Sequence, residues 1–154
     1  MGKPRQRSIA KGIVAGLIGG IVATAVKNAV ERAYPPSKPD KNAPDALVTR
    51  QVGKFELTVR QKKLAQSTMH YGFGAVAGAA YGAAAEIYPA ATSKQGASFG
   101  MALIALNQDN VLPSLGLAEK KPQTKREHTS ELISFVAYGV VTETVRRLVR
   151  FMIR

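Results

Sequence analysis

Four apolar stretches alternate with charged connectors along the chain. Residues 12–26 and 71–85 each run fifteen positions without a charge, residues 95–106 run twelve, and residues 132–142 run eleven. Charges gather in residues 1–11, 31–66 and 119–131 and in the closing RRLVRFMIR. This alternation predicts an all-α chain, a single helical membrane domain over 1–154 with helices at about 8–33, 58–88, 95–112 and 130–153. The proline-rich connector AYPPSKPDKNAP is a loop, because proline lacks the backbone donor and biases its predecessor away from helix. Within 34–57 a short interfacial helix is expected around 46–52. Thr58 is expected to cap the second helix, and Thr129 or Ser130 the fourth, with Glu131 facing its positive end.

No stretch alone reaches the usual 18–20 apolar residues of a membrane span, and runs of 10–14 are common in soluble cores. The first lengthens to residues 8–29, about 33 Å of helix, if Lys11 and Lys27 snorkel from its ends. The second lengthens to residues 69–91 with Glu86 as its only carboxylate. Tyr34, Tyr71, Tyr88 and Phe151 near the ends form a weak aromatic belt. Glycine spacing points the same way. Gly12, Gly16 and Gly20 recur every fourth residue, with Thr24 continuing the line, and Gly74, Gly78 and Gly82 repeat the pattern. In water each interior glycine costs a helix up to about 1 kcal/mol relative to alanine. In lipid, small residues at this spacing let helix backbones approach closely. The two ridges are therefore expected to pack together in a small GxxxG-type membrane bundle. A cleaved signal peptide competes for residues 1–30, but the helical pattern continues through Lys27, Glu31 and Arg32, which favours a retained anchor.

Composition narrows the chemistry. The chain has 154 residues, a formal charge of +12, two His and no Cys. Thiol catalysis, disulfides and cysteine-based metal sites are excluded. There is no GxSxG, P-loop or HExxH pattern, so no enzyme activity, no cofactor and no metal is expected. The charge calls for a polyanion. Basic residues sit in connectors and helix ends and no helix carries a basic reading face, so anionic lipid headgroups of the bilayer are the expected partner and nucleic acid is not.

A few polar residues stand out against this background. His70, Gly74, Gly78, Gly82 and Glu86 form one ridge. Its two titratable ends are either interfacial caps or a proton-responsive pair, since an ordinary imidazole titrates near ~6.5. Glu143 lies three and four residues before Arg146 and Arg147, the spacing of a helical ion pair. Alternatively, one of these arginines reaches Glu86 or Asp109 on another helix and builds a polar core. Glu131 with His128 reads as a helix start or a second pH-sensitive couple. NQDN at 107–110, followed by VLPSLG, ends a short span or lines a polar cavity. The latter motivates a transporter- or channel-like alternative, which would need a homo-oligomer to build a pathway.

Three stretches carry a family resemblance: HYGFGAVAGAAYGAAAEIYP at 70–89, QGASFGMALIALNQDNVLPSLGL at 95–117 and SELISFVAYGVVTETVRRLVR at 130–150. Together they resemble the YagU-like family of bacterial inner-membrane proteins, whose biochemical activity is unknown. The matching positions are His70, Glu86, Pro89, Ser130, Glu131, Glu143, Arg146 and Arg147. The chain departs from the family at Ser134-Phe135, where Gly-His is common, and at Asn107 and Asp109, where a second His is common. The resemblance implies a bacterial inner (cytoplasmic) membrane location and a link to acid or envelope stress tolerance.

Overall fold

The computed structural model describes residues 8–34, 58–108 and 124–153. These residues are all-α: α1 (Ile9–Ala33), α2 (Val59–Ile87), α3 (Ala97–Gln108) and α4 (Lys125–Met152), with a 3-10 segment, Pro89–Gly96, between α2 and α3. The short helix expected around 46–52 and the NQDN residues Asp109 and Asn110 lie outside the described residues.

Each long helix begins at a side-chain cap. Ser8 Oγ accepts from the Lys11 amide. Thr58 and Gln61 form a reciprocal capping box at the head of α2, satisfying two orphan helix donors at once. The start of α4 corrects the sequence expectation. The helix opens at Lys125, ahead of Thr129 and Ser130, because Thr124 and Glu127 form a second capping box. The Thr124 amide donates to Glu127 Oε2 at 2.8 Å. Thr129 and Ser130 therefore lie inside the helix. Thr129 Oγ1 donates back to Lys125 O, while Ser130 Oγ reaches across to Tyr34 O at 2.9 Å. Glu131 is buried in the second turn.

Close glycine contacts set the helix arrangement. A Cβ added at Gly12 would lie 2.6 Å from Gly82 O, one at Gly16 2.8 Å from Gly82 Cα, and one at Gly78 2.7 Å from Gly20 Cα. α1 and α2 thus run antiparallel with their backbones in contact. A second seam joins α1 to α4, where a Cβ at Gly19 would meet Thr142 O at 2.7 Å. A third joins α3 to α4: a Cβ at Gly139 would lie 2.6 Å from Gly100 N, and one at Gly100 2.8 Å from Phe135 C. Lys11 Nζ donates to Ile153 O, so the start of α1 and the end of α4 share one end of the bundle, and α4 runs parallel to α2.

The reversal into α3 is tight. Lys94, Gln95 and Gly96 all have positive φ, at 52°, 53° and 84°. Gly96 needs its missing side chain for space as well, because a Cβ there would lie 2.7 Å from Glu143 Cβ. The turn brings Phe99 onto Tyr81 with stacked rings 4.3 Å apart.

On α1 the small side chains are buried and the large aliphatic ones exposed, the reverse of the usual core helix of a water-soluble protein. Gly12, Ala15, Gly16, Gly19, Gly20, Ala23 and Thr24 form the buried face of α1. Ile9, Ile13, Val14, Leu17, Ile18, Ile21 and Val22 point outward. Among the described residues α1 is the one helix long and apolar enough to cross a membrane. Lys27 departs from the expectation that it snorkels: it is buried, pairs with Glu31, and sits over the Phe135 ring at 5.0 Å. With α4 packed on that turn, its ammonium finds a carboxylate one turn away and an aromatic face.

Candidate functional site

α4 buries a polar stripe. Ser130, Glu131, Ser134, Tyr138, Thr142, Glu143 and Arg146 recur at three- and four-residue steps on its inward face, so helical geometry turns these side chains into the bundle together. At the end where α2 and α4 finish, the stripe becomes an ionic centre.

Glu143 lies at its middle with a side chain 1% exposed. Arg146 donates to it twice, from Nε to Oε2 at 2.7 Å and from Nη2 to Oε1 at 3.0 Å. Arg147 Nε donates to Oε1. From α2, Tyr81 Oη donates to Oε2 at 2.9 Å. The second carboxylate, Glu86, accepts from Arg150 Nε at 2.6 Å and Nη2 at 2.9 Å. Arg146 Nη1 stands 3.5 Å from Glu86 Oε1 and links the two carboxylates. α1 adds the Ser8 amide, which donates to Glu86 Oε2 at 3.3 Å. It also adds open space, since a side chain at Gly12 would collide with the Glu86 stem. Three helices therefore converge on five charges, two negative and three positive. Paired guanidinium and carboxylate groups with complementary hydrogen bonds are what makes such burial tolerable, because removing one member strands its partner.

The other sequence candidates lie apart from this centre. His70 is four steps up the α2 ridge, about 24 Å of helix from Glu86, and its Nε2 meets Asn28 Oδ1 at 2.9 Å. His70 and Glu86 are thus two separate sites. Glu131 is buried in the second turn of α4, at the opposite end from the ionic centre. Asp109 lies outside the described residues. Ser134 Oγ is buried with no hydrogen-bond partner. Among the described residues no group of three or more His, Cys, Asp or Glu is placed to hold a metal ion.

Sequence reasoning missed Tyr81, Arg150 and Asn28. A signal existed for Arg150, which follows Glu143 by seven residues and Arg146 by four and so shares their face. Tyr81 had none, because its role depends on how α2 and α4 sit side by side.

An all-α bundle with glycine seams and a buried ionic centre is the class this architecture defines. The chain belongs to the DUF1440 family, described as a protein of unknown function, whose model matches residues 21–144. No curated protein and no solved structure matches it.

Proposed function

We propose that this chain is a small, non-enzymatic bundle embedded in the bacterial inner membrane, with lipid as its solvent, α1 running across it and α2 and α4 packed along α1. One observation carries the reading. The aliphatic side chains of α1 face outward while Ser134, Thr142, Glu143 and Arg146 are buried. In water this arrangement would sacrifice the hydrophobic effect. In lipid, outward apolar groups and inward paired charges are the favoured arrangement, and glycine seams supply the close packing that drives helix association. The test is fractionation: the protein stays in the membrane through a carbonate wash and needs detergent for release. Release into buffer, with salt-dependent DNA binding, would favour a basic nucleic-acid-binding module instead.

The resemblance to YagU-like proteins extends the proposal to acid or envelope stress tolerance. Two features support it. The ionic centre depends on ionised Glu86 and Glu143, and protonating either removes the counter-charge of buried arginines. His70 offers a second protonatable group at the far end. Survival of acid challenge by cells carrying His70→Ala or Glu86→Gln tests this; survival equal to the native strain for both variants ends the stress reading.

The polar stripe on α4 favours a second reading, a transporter- or channel-like subunit that conducts along this helix in a homo-oligomer. Proton or ion flux into vesicles holding the purified chain tests it, with Glu143→Gln as the blocked control.

A further inference from the structure

We propose that Arg147 receives the phosphate of an anionic phospholipid at the end of the bundle where α4 finishes. This rests on the membrane reading above and adds a lipid class and a receptor residue to it. The four buried charges of the ionic centre balance: Glu86 and Glu143 against Arg146 and Arg150, none with a side chain more than 11% exposed. Arg147 is the fifth charge, and its side chain is 51% exposed. Its Nε donates to Glu143 Oε1, the one acceptor it has among the described residues. Glu143 is itself held by Arg146 and Tyr81, so Arg147 is anchored from behind by a rigid, buried group. The two terminal amino groups of its guanidinium remain as a planar pair of donors, the geometry that takes two phosphate oxygens at once.

The neighbourhood selects the kind of phosphate. Inward from Arg147, Val140, Val136 and Ile133 follow on the same face of α4, seven, eleven and fourteen residues back and half-buried to exposed, and Leu148 beside it is exposed. A free phosphate or a nucleic acid backbone gains nothing from this apolar surround. A phospholipid places its acyl chains against it while its phosphate meets Arg147. Lys11, exposed and at the same end of the bundle, adds positive potential. An anionic headgroup supplies the negative charge that the five-membered centre lacks, whereas a zwitterionic one supplies no net charge.

The test uses the full chain in a neutral detergent, with bound lipids counted by native mass spectrometry against phosphatidylglycerol and phosphatidylcholine. The native protein is expected to prefer phosphatidylglycerol. Arg147→Gln should reduce that preference by more than about fivefold, the factor for losing one basic residue at an anionic surface. Lys62→Gln, at an exposed position at the other end of α2, loses only such a surface charge and should reduce it less; equal losses in the two variants overturn the proposal. An unchanged preference in Arg147→Gln overturns the proposal. So does inorganic phosphate reproducing the same Arg147-dependent stabilisation, which would replace the lipid with the free ion. If Arg147→Gln loses helicity by circular dichroism, Arg147→Lys carries the test: it keeps the charge but not the planar donor pair, so its preference should fall, and native-like preference refutes the role. Carbonate extraction in parallel separates the two claims. Loss from the membrane sinks the membrane reading, while retention with no effect at Arg147 sinks only this one.

Discussion

The Tyr81 hydroxyl donates to Glu143 Oε2 across 2.9 Å, tying the closing turns of α2 to the ionic centre of α4. Tyr81 also stacks on Phe99 of α3, so one side chain registers three helices about a single carboxylate. Glu143 thus answers to Tyr81, Arg146 and Arg147 together.

Removing that carboxylate should be costly. Glu143→Gln keeps the shape but takes from Arg146 its nearer counter-charge, leaving Glu86 at 3.5 Å, and breaking a buried pair in this way costs about 3–5 kcal/mol. The melting temperature in detergent should fall clearly. Arg147→Gln should cost much less, because half-exposed ion pairs contribute only about 0–1 kcal/mol. Equal losses for the two variants would contradict the central place given to Glu143.

Glycines on the two faces of α2 should behave oppositely. A Cβ at Gly78 would lie 2.7 Å from Gly20 Cα, whereas one at Gly72 meets nothing within 4 Å. Gly78→Ala is expected to destabilise by about 1–3 kcal/mol through overpacking. Gly72→Ala should instead stabilise by up to about 1 kcal/mol through helix propensity. Thermal melts of the two purified variants decide this.

Ser134 is an unusual core residue because its buried hydroxyl has no partner. Ser134→Ala removes a desolvated polar group without losing a hydrogen bond, so stability should hold or rise by about 1 kcal/mol. Thr142→Val makes a useful contrast, since Thr142 Oγ1 donates to Tyr138 O at 2.7 Å. A clear loss of stability in Ser134→Ala would mean the hydroxyl has an acceptor after all.

Charge placed on the outward face of α1 should disrupt insertion according to depth. Ile21 stands at the middle of the helix and Ile9 at its start, both outward. A lysine at the centre of a span costs about 2.5–3.5 kcal/mol on insertion scales, and less near an end where it snorkels. Ile21→Lys should therefore reduce the membrane-integrated fraction sharply, and Ile9→Lys little. Equal integration of both would contradict the assignment of this face to lipid.

Much of the fold was legible because helical periodicity is local. The apolar stretches around residues 12–26 and 71–85 mark the cores of α1 and α2, and the hydroxyl of Thr58 marks where α2 begins. The start of α4 was misread because two cap-like sequences compete there. Thr124 has a glutamate three residues on, and that reciprocal box outweighs the single hydroxyls of Thr129 and Ser130. Lys27 was misplaced for another reason: its surroundings depend on Phe135, a residue of a different helix. The candidate site divides the same way. Glu143, Arg146 and Arg147 are neighbours by spacing along one helix. The pairing of Glu86 with Arg150 and the contribution of Tyr81 depend on the parallel arrangement of α2 and α4, which no pattern within either helix encodes. Gly96, Gly100 and Gly139 fall between these cases: Gly96 and Gly100 recur at the four-residue step that marks the other ridges, but their partner on α4 does not.

The contact between Lys11 and Ile153 has a consequence for orientation. α1 and α4 pass through the bundle in opposite senses, so on the membrane reading proposed above Ser8 and Ile153 face one compartment. Whichever way the bundle is inserted, compartment-sensitive reporters fused next to those two positions must agree in sign, and neither end can be turned over without the other.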